Sequence, residues 1–180
     1  MMPPLSLSEY LDLLKQRYQL NYNVEINKLI QDVNVDIFAL SVIEHYRNVI
    51  SKKIQIDRYE EREVILVKGY ESMVEGGEVN DFSRFLTSAA QELVIPSLDI
   101  MSHLIDGIIV SAQGFSQEAI SAAQKYKYSR TFFLGIKGWC DIRLLLVDLK
   151  NSTVFCNAKG KEIVQVYSFT QRQEVVKNNK

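Results

Sequence analysis

Two apolar runs, Glu63-Val-Ile-Leu-Val-Lys68-Gly-Tyr70 and Leu104-Ile-Asp-Gly-Ile-Ile-Val110, stand on either side of a stretch with helical periodicity. Two strands joined through a helix lie parallel in one sheet, so this unit restricts the fold more than any other segment. The second run is nearly all apolar, which fits a strand covered on both faces. In the intervening helix Phe82, Phe85, Leu86, Ala89 and Leu93 share a face, with Asn80 or Asp81 as the expected cap. A loop containing Gly76-Gly77 is expected before it, and Ile95-Pro96 ends it.

The flanking segments extend the pattern. Ser6-Leu-Ser-Glu9 reads as a capping box, followed by Leu7, Tyr10, Leu11, Leu14 and Tyr18 at helical spacing until Asn21 and Asn23. Val33 to Val42 reads as a strand, and the polar Glu44 to Asp57 segment can extend a hairpin. A short turn or helix is expected through Leu98 to His103. Ser116 caps a helix running to about Tyr126, with Ala119, Ile120 and Ala123 on its packed side. Thr131 to Ile136, Asp141 to Leu149, Thr153 to Asn157 and Glu162 to Phe169 read as strands, so the last third is expected to be antiparallel. The expected class is α/β (mixed α+β), a mixed central sheet flanked by helices with extra C-terminal antiparallel strands. One domain is expected over residues 1–170, with a polar tail over 171–180.

Composition limits the partners. The chain has 180 residues, 47% hydrophobic, with a net charge of −1 and a pI near 6.2. No global field draws it to nucleic acid, which argues against a sequence-blind electrostatic DNA binder but leaves room for a local basic patch. Cys140 and Cys156 lie in apolar strand contexts without metal-ligand spacing and read as small buried hydrophobes. The N-terminus lacks the basic-then-apolar pattern of a signal peptide, and no stretch approaches the ~20 apolar residues of a membrane span. A cytoplasmic location without a membrane partner is the resulting expectation.

The chemistry concentrates early in the chain. Tyr22-Asn-Val-Glu25, Asp32-Val-Asn-Val-Asp36-Ile and Val64-Ile-Leu-Val-Lys68-Gly-Tyr70 put an acid on one apolar strand and a lysine at the end of another. Metal-dependent phosphodiester hydrolysis uses carboxylates to hold a divalent ion and a lysine to assist the attacking water. This segment resembles the core of restriction-endonuclease-like proteins, the PD-(D/E)xK superfamily, nearest to its Mrr-like branch. Asp106-Gly-Ile-Ile-Val-Ser111-Ala-Gln-Gly114-Phe-Ser-Gln-Glu-Ala-Ile120 also resembles that branch, where an apolar strand ends in Ser or Thr and Gly-Phe-Thr/Ser opens the next helix. The resemblance spans roughly residues 21 to 126. It implies Asp36 as metal-binding aspartate, Lys68 as catalytic lysine, Asp32 as the upstream acid and Mg2+ as cofactor. Asn34 stands where glycine is usual, and asparagine tolerates left-handed conformations better than most residues.

Leu66 stands where the resemblance implies a second carboxylate or Gln, and a leucine cannot bind metal. Alternation places Leu66, Lys68 and Glu60 on one face, but Glu60 is eight residues from Lys68, roughly 26 Å along a strand. Glu63 points to the other face, and Glu25 on the preceding segment is the acid that could substitute in space. Two functions are therefore weighed. One is a catalytically degenerate module that binds a protein partner, a second copy or DNA. The other is an Mg2+-dependent DNA nuclease using Asp36 and Lys68.

The remaining candidates read as structure. His45 and His103 have no ligand-spaced partner. Gly135-Ile-Lys-Gly-Trp139 lacks the strand-glycine-helix order of a phosphate loop and reads as a bulge or close packing near Trp139. Trp139, Tyr126 and Tyr128 could stack on bases, although aromatics more often fill cores. Lys125, Lys127 and Arg130 form a small basic cluster at a helix end.

Overall fold

The computed structural model describes residues 5–48, 56–95 and 97–169. Helix α1 (Leu7–Tyr18) opens with the expected capping box: Glu9 N donates to Ser6 Oγ at 3.3 Å, and Ser6 N donates to Glu9 Oε2 at 2.9 Å. Strands β1 (Asn23–Ile30), β2 (Val33–Asn48) and β3 (Ile56–Tyr70) then form an antiparallel meander. The Glu44 to Asp57 segment does extend the β2–β3 hairpin, to Asn48 and from Ile56, and residues 49–55 lie outside the described residues.

Helix α2 (Gly76–Leu93) carries the chain to β4 (Ile100–Ser111), which pairs parallel with β3. Helix α3 (Gln117–Lys125) and the short β5 (Ser129–Thr131) lead to β6 (Trp139–Asp148), parallel to β4. Strand β7 (Thr153–Cys156), a 3-10 turn over Lys159–Glu162 and α4 (Val164–Tyr167) complete the described fold. The sheet order is β1-β2-β3-β4-β6, with β5 and β7 both antiparallel on the outer edge of β6. This is the mixed α/β sheet that the sequence pattern implies.

Alternation divides the apolar residues between two cores. Leu66, Ile105, Ile109, Leu144 and Leu146 face α2 and α3. Ile37, Ile65, Val67, Ile108, Val110, Leu145 and Val147 face α1 and α4. The loops into α2 and α3 run side by side. Val74 bridges Phe115, and Ser111 Oγ donates to Ser72 O at 2.9 Å and Gly114 O at 2.8 Å. The serine that ends β4 is therefore the clasp between the two helix entrances.

Several boundaries differ from expectation for identifiable reasons. Asn23–Ile30 is a strand, paired to Leu40–Val33, although its polar alternation gave little signal. Gly76-Gly77 begin α2 rather than a loop. Glu75 N donates to Glu78 Oε2 at 2.9 Å, and Gly76 lies where a Cβ would sit 3.2 Å from that of Glu118. Strand β4 starts at Ile100 because β3 offers it a ladder partner at Glu60, and β6 joins from Ser102 onward.

The expected strand over Thr131 to Ile136 is absent beyond Thr131, the last residue of β5. Phe132 N donates to Gly138 O at 2.9 Å, and Phe133 and Leu134 take positive φ of 48° and 57°, so the chain reverses there into β6. Gly138 permits the reversal: at φ 83° it passes so close to the Ile100 and Met101 carbonyls that a Cβ has no room. Glu162 to Phe169 is the short turn and α4 instead of a strand, and it seats Tyr167 against Tyr18. The last third is thus antiparallel only at β5 and β7. Pro96 and the 171–180 tail lie outside the described residues.

Candidate functional site

Asp36 occupies a skipped pairing. Ile26 faces Ile37 and Lys28 faces Val35, while Asn27, at φ 52°, breaks the β1 ladder opposite Asp36. Pairing of β2 with β3 begins one residue later, at Ile37 and Val67. The carboxylate takes the place of a ladder carbonyl: Gly69 N donates to Asp36 Oδ2 at 2.7 Å. Gly69 packs against Leu7 and Leu11, so this acceptor lies on the α1 side of the sheet. There Asp36 lines a cleft of about 280 Å3 with Leu7, Leu11, Ile26 and Ile37 as apolar wall and Asp12, Glu71 and Lys15 as charged neighbours.

Lys68 follows Leu66 by alternation toward the other face. Its ammonium donates to Asn34 O at 2.6 Å. Leu66 itself is 0% exposed within the α2–α3 core. Glu25 holds Lys28 at 2.7 Å, and the Lys28 ammonium lies over the Phe38 ring. Asp32 is exposed in the two-residue turn between β1 and β2. Among the described residues no three acidic, histidine or cysteine side chains gather as metal ligands. Mg2+ requires near-octahedral oxygen coordination. Asp36, with one oxygen on a backbone N–H and Glu25 and Asp32 held apart, does not fit that demand.

A second constellation lies on the α1 face, where β3, β4 and β6 run parallel. Ile65, Asp106 and Arg143 share one lateral row of the ladder. Arg143 donates through Nε to Asp106 Oδ1 at 2.5 Å and through Nη2 to Asp106 Oδ2 at 2.8 Å. The same Nη2 donates to Glu63 Oε1, and the Tyr22 hydroxyl donates to Glu63 Oε2. Beside them the Tyr18 and Tyr167 hydroxyls meet at 2.7 Å. A cavity of about 180 Å3 adjoins Tyr18, Tyr22, Glu63, Asp106 and Tyr167.

Burial pushes the Asp106 carboxyl up, while the Arg143 guanidinium pulls it down. The two carboxylates keep Arg143 charged against its own desolvation. Burial, with the contact to Glu63, raises the Tyr22 phenol; burial, with Tyr167 beside it, raises Tyr18. The phenols stay neutral, and each oxygen of Asp106 accepts from the guanidinium. This arrangement holds charge in place. Arg143 was not legible as a functional residue, yet a signal was present: opposite charges sit inside the two most apolar runs of the sequence, Leu104 to Val110 and Asp141 to Leu149.

The remaining titratable candidates are quiet. His103 is buried, its Nε2 has no partner among the described residues, and desolvation, with Arg62 adjacent, lowers its pKa. Cys140 is its lateral neighbour on β6, and burial pushes that thiol up to about 12, far from a thiolate nucleophile. Lys125 lies in the last turn of α3, and Arg130 sits 5.3 Å from the Phe132 ring. None of the described helices is long and apolar enough to cross a membrane.

Comparison with known proteins adds a family and one structural likeness. No curated protein matches the chain. The crystal structure of a repair endonuclease from Pyrococcus abyssi is similar over 67% of this chain and 43% of that chain, at 13% identity and a TM-score of 0.37. The chain thus spans less than half of that protein. The family described as Domain of unknown function (DUF8052) matches residues 6–169, and the chain belongs to it.

Proposed function

We propose that this domain is a restriction-endonuclease-like scaffold without hydrolytic chemistry, serving as a binding or adaptor module. The observation that carries the reading is how Asp36 and Lys68 are used. Asp36 accepts from Gly69 N–H on the α1 side, Lys68 donates to Asn34 O, and the residue between Lys68 and the core, Leu66, is sealed in hydrocarbon. Both side chains close local backbone irregularities of β2 and β3. A hydrolytic site needs them converging on one metal-bound phosphate.

The cleft beside Asp36 also favours a protein over DNA. Asp12, Asp36 and Glu71 face a single lysine there, so a phosphodiester backbone meets net negative charge. Leu7, Leu11 and Ile26 offer apolar contact, which suits a peptide segment carrying hydrophobic and basic side chains.

The test is a cleavage assay on supercoiled, linear and single-stranded DNA with Mg2+ or Mn2+, run beside Lys68→Ala. No cutting by either protein, with both folded, is expected. Metal-dependent cutting that disappears in Lys68→Ala would overturn the reading in favour of a nuclease built on Asp36 and Lys68. Calorimetry with Mn2+ gives a second readout, with no heat of binding that depends on Asp36 expected on titration of the protein or of Asp36→Asn.

A further inference from the structure

The loop between β5 and β6 carries the most exposed large apolar side chain of the described residues, with two more exposed ones beside it. Leu134 is 99% exposed, Ile136 70% and Phe133 67%, all within four positions. Such a cluster on a surface marks an interaction site. The loop is also shaped in advance. Phe132 N donates to Gly138 O, Gly135 N and Lys137 N both donate to Phe132 O, and Phe133 and Leu134 are held at positive φ. Non-glycine residues in that region are strained, and a loop fixed in such a conformation loses little entropy on docking.

The loop is positively charged at its base. Lys137 Nζ lies 4.1 Å from the Phe133 ring centre, and Arg130 lies beside Phe132. Its complement is an apolar cleft lined by an excess of carboxylates. The cleft at Asp36 has that character, with Leu7, Leu11 and Ile26 alongside Asp12, Asp36 and Glu71 against a single lysine, Lys15. One chain cannot join its own loop to its own cleft. The loop precedes the amino end of β6, whereas Asp36 and Glu71 lie at the carboxyl end of β3. The strands are parallel, and a ten-residue strand spans roughly 33 Å.

We propose that the domain self-associates head to tail, the Phe133–Lys137 loop of one copy entering the Asp36 cleft of the next. This inference rests on the binding-module reading of the cleft and names its occupant. Because loop and cleft are different surfaces, the contact is heterologous: each copy offers one of each, so association continues beyond two copies unless a ring closes.

The test uses sedimentation velocity of the full chain over a dilution series, with Leu134→Asp and Asp12→Lys. Both positions are exposed, and thermal melts matching wild type check that the variants fold. Wild type is expected to associate reversibly and each variant to sediment as a monomer. An equimolar mixture of the two variants should form a dimer and stop there, because one supplies an intact cleft and the other an intact loop. A wild-type monomer at every concentration, Leu134→Asp associating as wild type does, or a mixture that stays monomeric would each overturn the proposal. None of these outcomes bears on DNA cleavage, so failure of the partner and failure of the binding-module reading are separable.

Discussion

Beneath α2 and α3 the centre of the sheet presents Val64, Leu66, Ile105, Ile109, Ile142, Leu144 and Leu146, and the helices answer with Phe82, Phe85, Leu86 and Ala89. Beneath α1 and α4 it presents Ile65, Val67, Ile108, Leu145 and Val147, but one end of that face holds Glu63, Asp106 and Arg143 and three tyrosines. The first face is held by hydrocarbon packing. There each lost group leaves a cavity and each added group meets a neighbour. The second face also contains polar groups whose desolvation is offset only by one another. Its stability depends on complete sets, and its cost appears when a set is broken.

The largest effect expected is therefore at Arg143. Arg143→Met leaves the buried Asp106 and the half-buried Glu63 without their shared cation and should cost about 3–5 kcal/mol in urea unfolding. The loss should depend on pH. Burial already pushes the Asp106 carboxyl up to about 7 with the guanidinium in place, and removing that cation moves it further up. A carboxyl raised in the folded state contributes stability that is present below its unfolded value, about 3.9, and lost as pH rises through the folded one. The shortfall against wild type should hold nearly level from about pH 4 to about 7, where both folded proteins keep Asp106 protonated, and grow above that as the wild-type carboxyl ionises beside its guanidinium. Carboxylates that do not touch Arg143 titrate alike in both proteins and cancel. Replacing the set together, Glu63→Leu with Asp106→Leu and Arg143→Met, should recover most of the loss or exceed wild type. A single Arg143→Met variant within ~1 kcal/mol of wild type, the value of an exposed pair, would remove the distinction between the faces.

The two faces also explain what could be read in the sequence. The β3-α2-β4 unit was legible because its strands are covered on both sides and its helix has one apolar stripe, so local pattern and tertiary position agree. The capping box at Ser6 and the Ser116 cap are local devices and were legible for the same reason. Strand β1 was not, since an edge strand with Asn23, Glu25, Asn27 and Lys28 owes its state to its partner β2. Phe132-Phe-Leu134 imitates a strand in composition, but its conformation is set by the reversal at Gly138. At the candidate site, the positions of Asp36 and Lys68 at neighbouring strand ends were readable. The skipped pairing at Asn27, which gives Asp36 a backbone partner, is a property of two strands together and leaves no mark in either.

The hydrocarbon face should respond in the opposite manner to added volume. Gly107 lies on β4 under α2, where a methyl would overlap Leu86 Cδ1, itself fully buried. Gly107→Ala should cost about 1–3 kcal/mol by overpacking. Leu86→Ala alone should cost about 2–5 kcal/mol by opening a cavity. The double variant should be less destabilised than the sum, by more than the ~0.5 kcal/mol typical of independent sites, because the new methyl enters the space that the leucine leaves. Additive costs would mean that this face yields to insertion and is not packed as described.

The smallest effect tests the rule of complete sets on neutral groups. Tyr18 and Tyr167 are buried and each hydroxyl has the other as its partner, 2.7 Å away. Tyr167→Phe strands the Tyr18 hydroxyl and should cost about 1–3 kcal/mol, as an unmatched buried polar group does. Removing both hydroxyls, Tyr18→Phe with Tyr167→Phe, takes away the need along with the bond and should be nearly neutral, measured by the same urea midpoints. Among the apolar side chains of the other face no second deletion of this kind can help, because a second truncation only widens a cavity. If the double phenylalanine variant is instead worse than the single, the hydroxyls serve something beyond each other. The cavity they border would then become the place to look for its occupant.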